Sequence, residues 1–150
     1  MTRNIMKKIY AHAHCDGPCG VYDPASARIA GEAVLSMTKK MLYLNCPDTN
    51  NSSQMASYLN TMSRYASVKE EQAQLCKEEL LVLWTDYFKP NHLEDNPELH
   101  ELFWNTAKLC SSCKTEVSVQ HANELMENIK KIHDVFWKTK NRNVTWYTAG

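Results

Sequence analysis

Glycine and proline are scarce in this sequence, with four and five residues in 150. So few turn formers argue against a chain of many short strands and for long regular elements. Net charge is missing as well, because Lys+Arg and Asp+Glu both number 17. A neutral chain has no overall field to draw it to nucleic acid or to an anionic membrane. No run approaches the roughly 18 apolar residues that a membrane-spanning helix needs. The leading segment "MTRNIMKKIYAHA" is basic and ends in an A-x-A-like triplet. It lacks the apolar core of roughly 7–15 residues that an export signal carries. The reading is one cytoplasmic domain with reduced thiols, large enough to bury a core without staples.

What is present is a concentration of reactive groups near the start. The stretch "HCDGPCG", residues 14–20, holds a histidine, an aspartate and two of the six cysteines. Behind it the chain reads as helices. The first is expected to start at Asp23-Pro24, cap then proline, with Ile29, Ala33, Met37, Met41 and Leu44 as its inner stripe. "NCPDTNNSS" is a loop by composition. A second, unusually long helix is expected from about Ser53 to Phe88. Its stripe is read as Met55, Leu59, Met62, Ala66, Ala73, Cys76, Leu80, Leu83, Trp84 and Tyr87, and Lys89-Pro90 ends it. A third is expected to begin near Asn96-Pro97 and a fourth near Ser118, the latter carrying Ala122, Leu125, Met126, Ile129, Ile132 and Phe136. Nothing alternates as a strand does. The fold class is all-α, an up-down four-helix bundle of residues 23–140. An N-terminal metal-binding hook (14–22) precedes it, and a tail (141–150) without clear period follows.

The hook has a definite chemistry. Gly17 and Pro18 suit a turn that returns Cys19 to Cys15. Thiolates with an imidazole point to a transition metal rather than to calcium or magnesium. A cut between Ala13 and His14 would add a free α-amine. With the amide nitrogen of Cys15 and the thiolates of Cys15 and Cys19, that amine completes a planar N2S2 set. Such a set favours Ni(II) or Cu(II), whereas zinc prefers a tetrahedron. On this reading residues 1–13 are a pro-segment that keeps the site unmade until it is removed. Cys15 and Cys19 could instead form a disulfide or a zinc pair. The runner-up is a zinc-stabilised interaction module that joins Cys15 and Cys19 to the CxxC of Cys110 and Cys113.

"HCDGPCGVYDP" resembles the metal-binding hook of the nickel superoxide dismutase family, and every specified residue from His14 to Pro24 matches. "LWTDYFKP" (Leu83–Pro90), "PELH" and "IHDVFWKTK" resemble its helical segments, so the likeness runs from His14 to about Lys140. The resemblance implies a nickel cofactor and an enzyme that converts superoxide to dioxygen and hydrogen peroxide by Ni(III)/Ni(II) cycling. It implies His14, Cys15 and Cys19 as metal ligands, with the His14 imidazole axial. It implies Tyr22 and Tyr87 as catalytic-site tyrosines lining the access route. It implies Asp16 as a residue ordering the hook, and Lys89 as an anchor for the hook or an attractor of superoxide. The partners it implies are superoxide, a maturation protease and further copies of the chain in a homohexamer. One departure stands out: where some members carry a Glu and an Arg that hold the axial imidazole, this chain has Ala30 and Gln72.

The remaining candidates have ordinary readings. His100, His121 and His133 are expected to be surface or satisfied histidines on helices. Trp84, Trp104 and Trp137 are expected to pack in helix stripes. Cys46, Cys76 and Cys110 are read as small apolar residues or incidental thiols rather than ligands, and His92 could sit near the hook although nothing requires it.

Overall fold

The computed structural model describes residues 19–150. His14, Cys15, Asp16 and the leading segment lie outside the described residues. Within them, all regular structure is helical. The elements are α1 (Ala25–Tyr43), α2 (Ser52–Val82) running on into a π-helical turn (Leu83–Tyr87), α3 (Pro90–Asp95), α4 (Leu99–Thr115) and α5 (Val119–Thr139). The four longer helices close a ring: α1 packs on α2 and α5, and α4 packs on the same two. This is the expected helical bundle, and no described helix is long and apolar enough to cross a membrane.

The helix ends follow from their local chemistry. Asp23 Oδ1 accepts from Ala25 N at 2.8 Å, so the expected cap is made, although α1 opens at Ala25, one residue after Pro24. Asn51 caps α2 by accepting from Gln54 N at 3.1 Å. Ser118 caps α5 by accepting from His121 N at 3.2 Å. At the far end of α5, Asn141 adopts φ 53° and lets Arg142 N donate back to Trp137 O at 3.0 Å. This is the left-handed turn that satisfies a helix's last carbonyls.

Three expectations about where the helices run and what they bury need correction, and one about a tryptophan follows. First, α1 buries Ala27, Ala30, Val34 and Thr38 rather than the Ile29–Leu44 stripe, and Ile29 is 56% exposed. The period was right and the phase wrong. The inner face consists of small residues because α5 comes close there: a Cβ on Gly31 would lie 2.7 Å from Ile129 Cδ1 and 2.9 Å from Met126 Sδ. Second, α2 is buried only from Lys69 onward, through Ala73, Cys76, Leu80 and Leu83, while Leu59 is 58% exposed. α4 ends at Thr115 beside Lys69, so the first half of α2 outruns it. Third, Pro90 both ends one helix and starts another. As the first residue of α3 it has no N–H to waste. Asn96 then closes α3 by donating from Nδ2 to His92 O at 3.0 Å, and α4 begins at Leu99.

Phe103, Phe136, Leu80, Leu99, Leu125, Ile129 and Ile132 fill the core and are almost fully buried. Each contributes about 1.5–3 kcal/mol of burial free energy. Trp137 joins them and Trp84 is half-buried, but Trp104 is 55% exposed, contrary to expectation. The tail packs back along α1 and α5. Val144 O accepts from His133 Nε2 at 2.9 Å, Tyr147 lies 4.3 Å from Arg28 Cζ, and Ala149 N donates to Glu32 Oε1 at 2.9 Å.

Candidate metal centre

Of the predicted metal ligands, Cys19 is described, and it is a free, exposed thiol. The next residue, Gly20, has φ +62°, a conformation that side-chain-bearing residues rarely adopt. The chain then runs through half-buried Tyr22 to the Asp23 cap, so α1 holds the exit of the hook in place.

Opposite stands the last turn of α2. Phe88 N donates to Leu83 O at 3.1 Å, five residues back, and the wider turn carries Tyr87 to the bundle end. Such π turns occur frequently at functional sites. The Tyr87 ring lies 5.5 Å from Tyr22, 4.5 Å from Phe136 and 5.7 Å from His92, nearly parallel to the last. Its hydroxyl lies 2.6 Å from Thr139 Oγ1. Lys89 follows in extended conformation, and its backbone N donates to His92 Nδ1 at 3.2 Å.

These residues line one open pocket of about 380 Å³, formed by Gly20, Tyr22, Asp86, Tyr87, Lys89, Asn91 and His92. Three residues singled out in the sequence, Tyr22, Tyr87 and Lys89, thus meet at one rim beside the neighbour of Cys19. His92, which the sequence allowed near the hook without requiring it, joins them, whereas Asp86, Thr139 and Lys140 were missed. Lys140 Nζ sits 5.1 Å from the Tyr87 ring centroid. Their placement depends on the π turn, on α3 and on where α5 ends, none of which leaves a periodic trace.

Among the described residues, Cys19 does not meet the Cys110–Cys113 pair of the competing cysteine site. Cys110 and Cys113 are buried against α2 with Cys76, near Lys69. Lys69 and Tyr87 are separated along α2 by roughly 25 Å at helical rise, so the pair lies at the opposite end from Cys19. Among the described residues no three His, Cys, Asp or Glu side chains group to hold a metal. The positions of the missing Glu–Arg pair are quiet: Ala30 is a core residue and Gln72 is half-buried on α2.

The family model for nickel-containing superoxide dismutase matches residues 9–140. The chain belongs to that family. It is 38% identical over 140 residues to the superoxide dismutase [Ni] of Streptomyces coelicolor, covering 93% of this chain and 98% of that protein. It is 39% identical over the same length to that of Streptomyces seoulensis. A native nickel superoxide dismutase structure matches with TM-score 0.74 at 39% identity, over 86% of this chain and 100% of the solved one. A structure with nickel ligation corresponding to the oxidised state matches equally well. The chain is therefore a nickel-dependent superoxide dismutase, and nickel is its cofactor. An exposed thiol on Cys19, the chain neighbour of a residue that lines the open pocket, fits that metal, since thiolate sulfur is a soft donor.

Proposed function

We propose that the enzyme works at the pocket between the hook and the end of α2, with His14, Cys15 and Cys19 as the residues that hold nickel. When bound, nickel supplies the one-electron couple by which one superoxide is oxidised to dioxygen and a second, with two protons, is reduced to hydrogen peroxide. The protein's own residues do the rest. Lys89 places a positive charge on the rim and favours a small anion. Tyr22 and Tyr87 narrow the way in, their rings tilted across the pocket from each other. Asp16 orders the hook. The observation that carries this reading is the convergence of Tyr22, Tyr87 and Lys89 beside Gly20, on residues chosen from the hook and the YFKP block.

The leading segment, 1–13, is removed before the enzyme is competent, leaving His14 with a free amine. In support, the solved structure is covered completely yet matches 86% of this chain, against 93% in the match to the Streptomyces coelicolor protein, a shortfall of the size that a trimmed start would give. The subunits assemble as a homohexamer. In support, the overhanging ends of α1 and α2 leave Leu42, Tyr43 and Leu59 more than half exposed, a patch suited to further copies of the chain.

Native mass spectrometry of the protein from its host tests these points together. The expected species is a hexamer of subunits beginning at His14, each with one nickel. An uncut chain as active as the cut one would overturn the maturation step.

A further inference from the structure

Thr139 has a single hydroxyl proton, and its Oγ1 lies 2.7 Å from Phe136 O. A backbone carbonyl can only accept, so that proton is spent on Phe136. The same Oγ1 lies 2.6 Å from the Tyr87 hydroxyl. With its own proton committed, Thr139 can only accept there, and Tyr87 must donate. We infer that Thr139 is a positioning residue that turns the Tyr87 hydroxyl proton away from the access pocket, so that Tyr87 presents oxygen lone pairs, not a donor, to an entering anion. This rests on the reading that the pocket is the access route.

The physical consequence is selective. Lys89 draws anions to the rim, but a phenol whose proton is engaged cannot hold one there by hydrogen bonding. The pocket then attracts without retaining, which disfavours stable occupation by other small anions. The arrangement is rigid because Phe136 and His92 pack on the ring, which fixes the direction of its C–O bond. The end of α5 sets the position of Thr139: Asn141 terminates the helix two residues later.

Neutron diffraction on deuterium-exchanged crystals tests the proton assignment. Deuterium is expected on Tyr87 Oη toward Thr139, and on Thr139 Oγ1 toward Phe136 O. Deuterium of Thr139 pointing at Tyr87 would overturn the inference. The functional arm uses the nickel-loaded protein matured in its own host, with azide as the probe anion. Thr139→Val should lower the azide concentration for half-inhibition at least threefold, because the freed hydroxyl can donate into the pocket. Thr139→Ser should restore the wild-type value. Thr139→Val with unchanged azide inhibition would sink the selective role even with the proton where expected. Tyr87→Phe separates the two readings: unchanged turnover and unchanged azide inhibition there would remove Tyr87 from the access route itself.

Discussion

The two ends of the bundle are built from the same residue types and do opposite things with them. At one end Cys19 is exposed, and Lys89 lies at the rim of an open pocket. At the other, Cys76, Cys110 and Cys113 are 0%, 0% and 3% exposed, and Lys69 is 2% exposed. Burial pushes the Cys113 thiol up to about 11. Contact with Cys110, reinforced by burial, raises Cys76 well above the usual thiol range. A thiol held in its neutral form is a poor metal ligand and a poor nucleophile. The lysines divide in the same way. Lys89 is exposed at the surface, whereas Lys69 donates to the carbonyls of Cys113, Lys114 and Glu116 and closes the C-terminus of α4. Burial lowers the pKa of Lys69, and the nearby Cys113 and Glu70 only partly offset this. Solvent access, not residue type, separates the chemical end from the structural one.

The largest effect expected from this contrast is on activity. Cys19→Ser should abolish nickel retention and superoxide turnover while leaving helical circular dichroism unchanged, because Cys19 packs against nothing in the core. Cys110→Ser or Cys113→Ser should keep the metal and lose stability. Nickel content by elemental analysis, stopped-flow superoxide decay and urea midpoints measured on all three variants decide it. Loss of metal in the Cys113 variant would erase the distinction between the ends.

The next effect concerns the lysines. Lys69→Met removes the donor shared by the last carbonyls of α4 and should cost about 2–3 kcal/mol, the desolvation penalty of buried acceptors left unpaired. Turnover per folded subunit should stay at the wild-type value, since Lys69 lies at the far end from the pocket. Lys89→Met should show the reverse, with an unchanged urea midpoint and a weaker salt dependence of kcat/KM. A Lys69→Met variant with an unaltered midpoint would mean that water replaces the cap at no cost.

How much of this was legible beforehand depends on the kind of signal each residue leaves. Ser118 announces α5, and Asp23-Pro24 announces α1, because caps are local chemistry. The hook was readable from the types and spacing of its residues, whereas Tyr22, Tyr87 and Lys89 were singled out through the resemblance of the hook and the YFKP block to the family; alone, the two tyrosines read as packing aromatics. The inner face of α1 was misread because Ala27, Ala30 and Gly31 bury little apolar surface themselves; they matter for how close α5 can come, which only the fold reveals. The exposed half of α2 was misread for a related reason. Its apolar period is real, but a stripe says nothing about whether a neighbouring helix reaches that far. Thr139 left no trace, since it meets Tyr87 across a long stretch of chain, and His92 was legible only as a residue that could lie near the hook, because the short helix that turns it onto Tyr87 was not expected.

The smallest expected effect is the pH dependence of the structural end. The Cys113 thiol is raised in the folded protein relative to the unfolded chain. A raised group contributes stability that is fully present below its unfolded pKa and is lost as pH rises through its folded one. The window therefore opens near pH 9 and closes near 11, with a loss on the order of 2 kcal/mol from this residue. Cys76 acts in the same direction. Lys69 acts the other way, because a lowered ammonium favours the folded state as pH climbs toward the usual lysine value. Two thiols oppose one lysine, so the net slope should be downward. Urea unfolding at intervals from pH 7 to 11 should show Cys113→Ala losing less stability than wild type across that window, although it starts lower at pH 7. Superimposable slopes would mean that Cys113 ionises as freely in the fold as outside it, and the buried end would then be chemically closer to the exposed one than its packing implies.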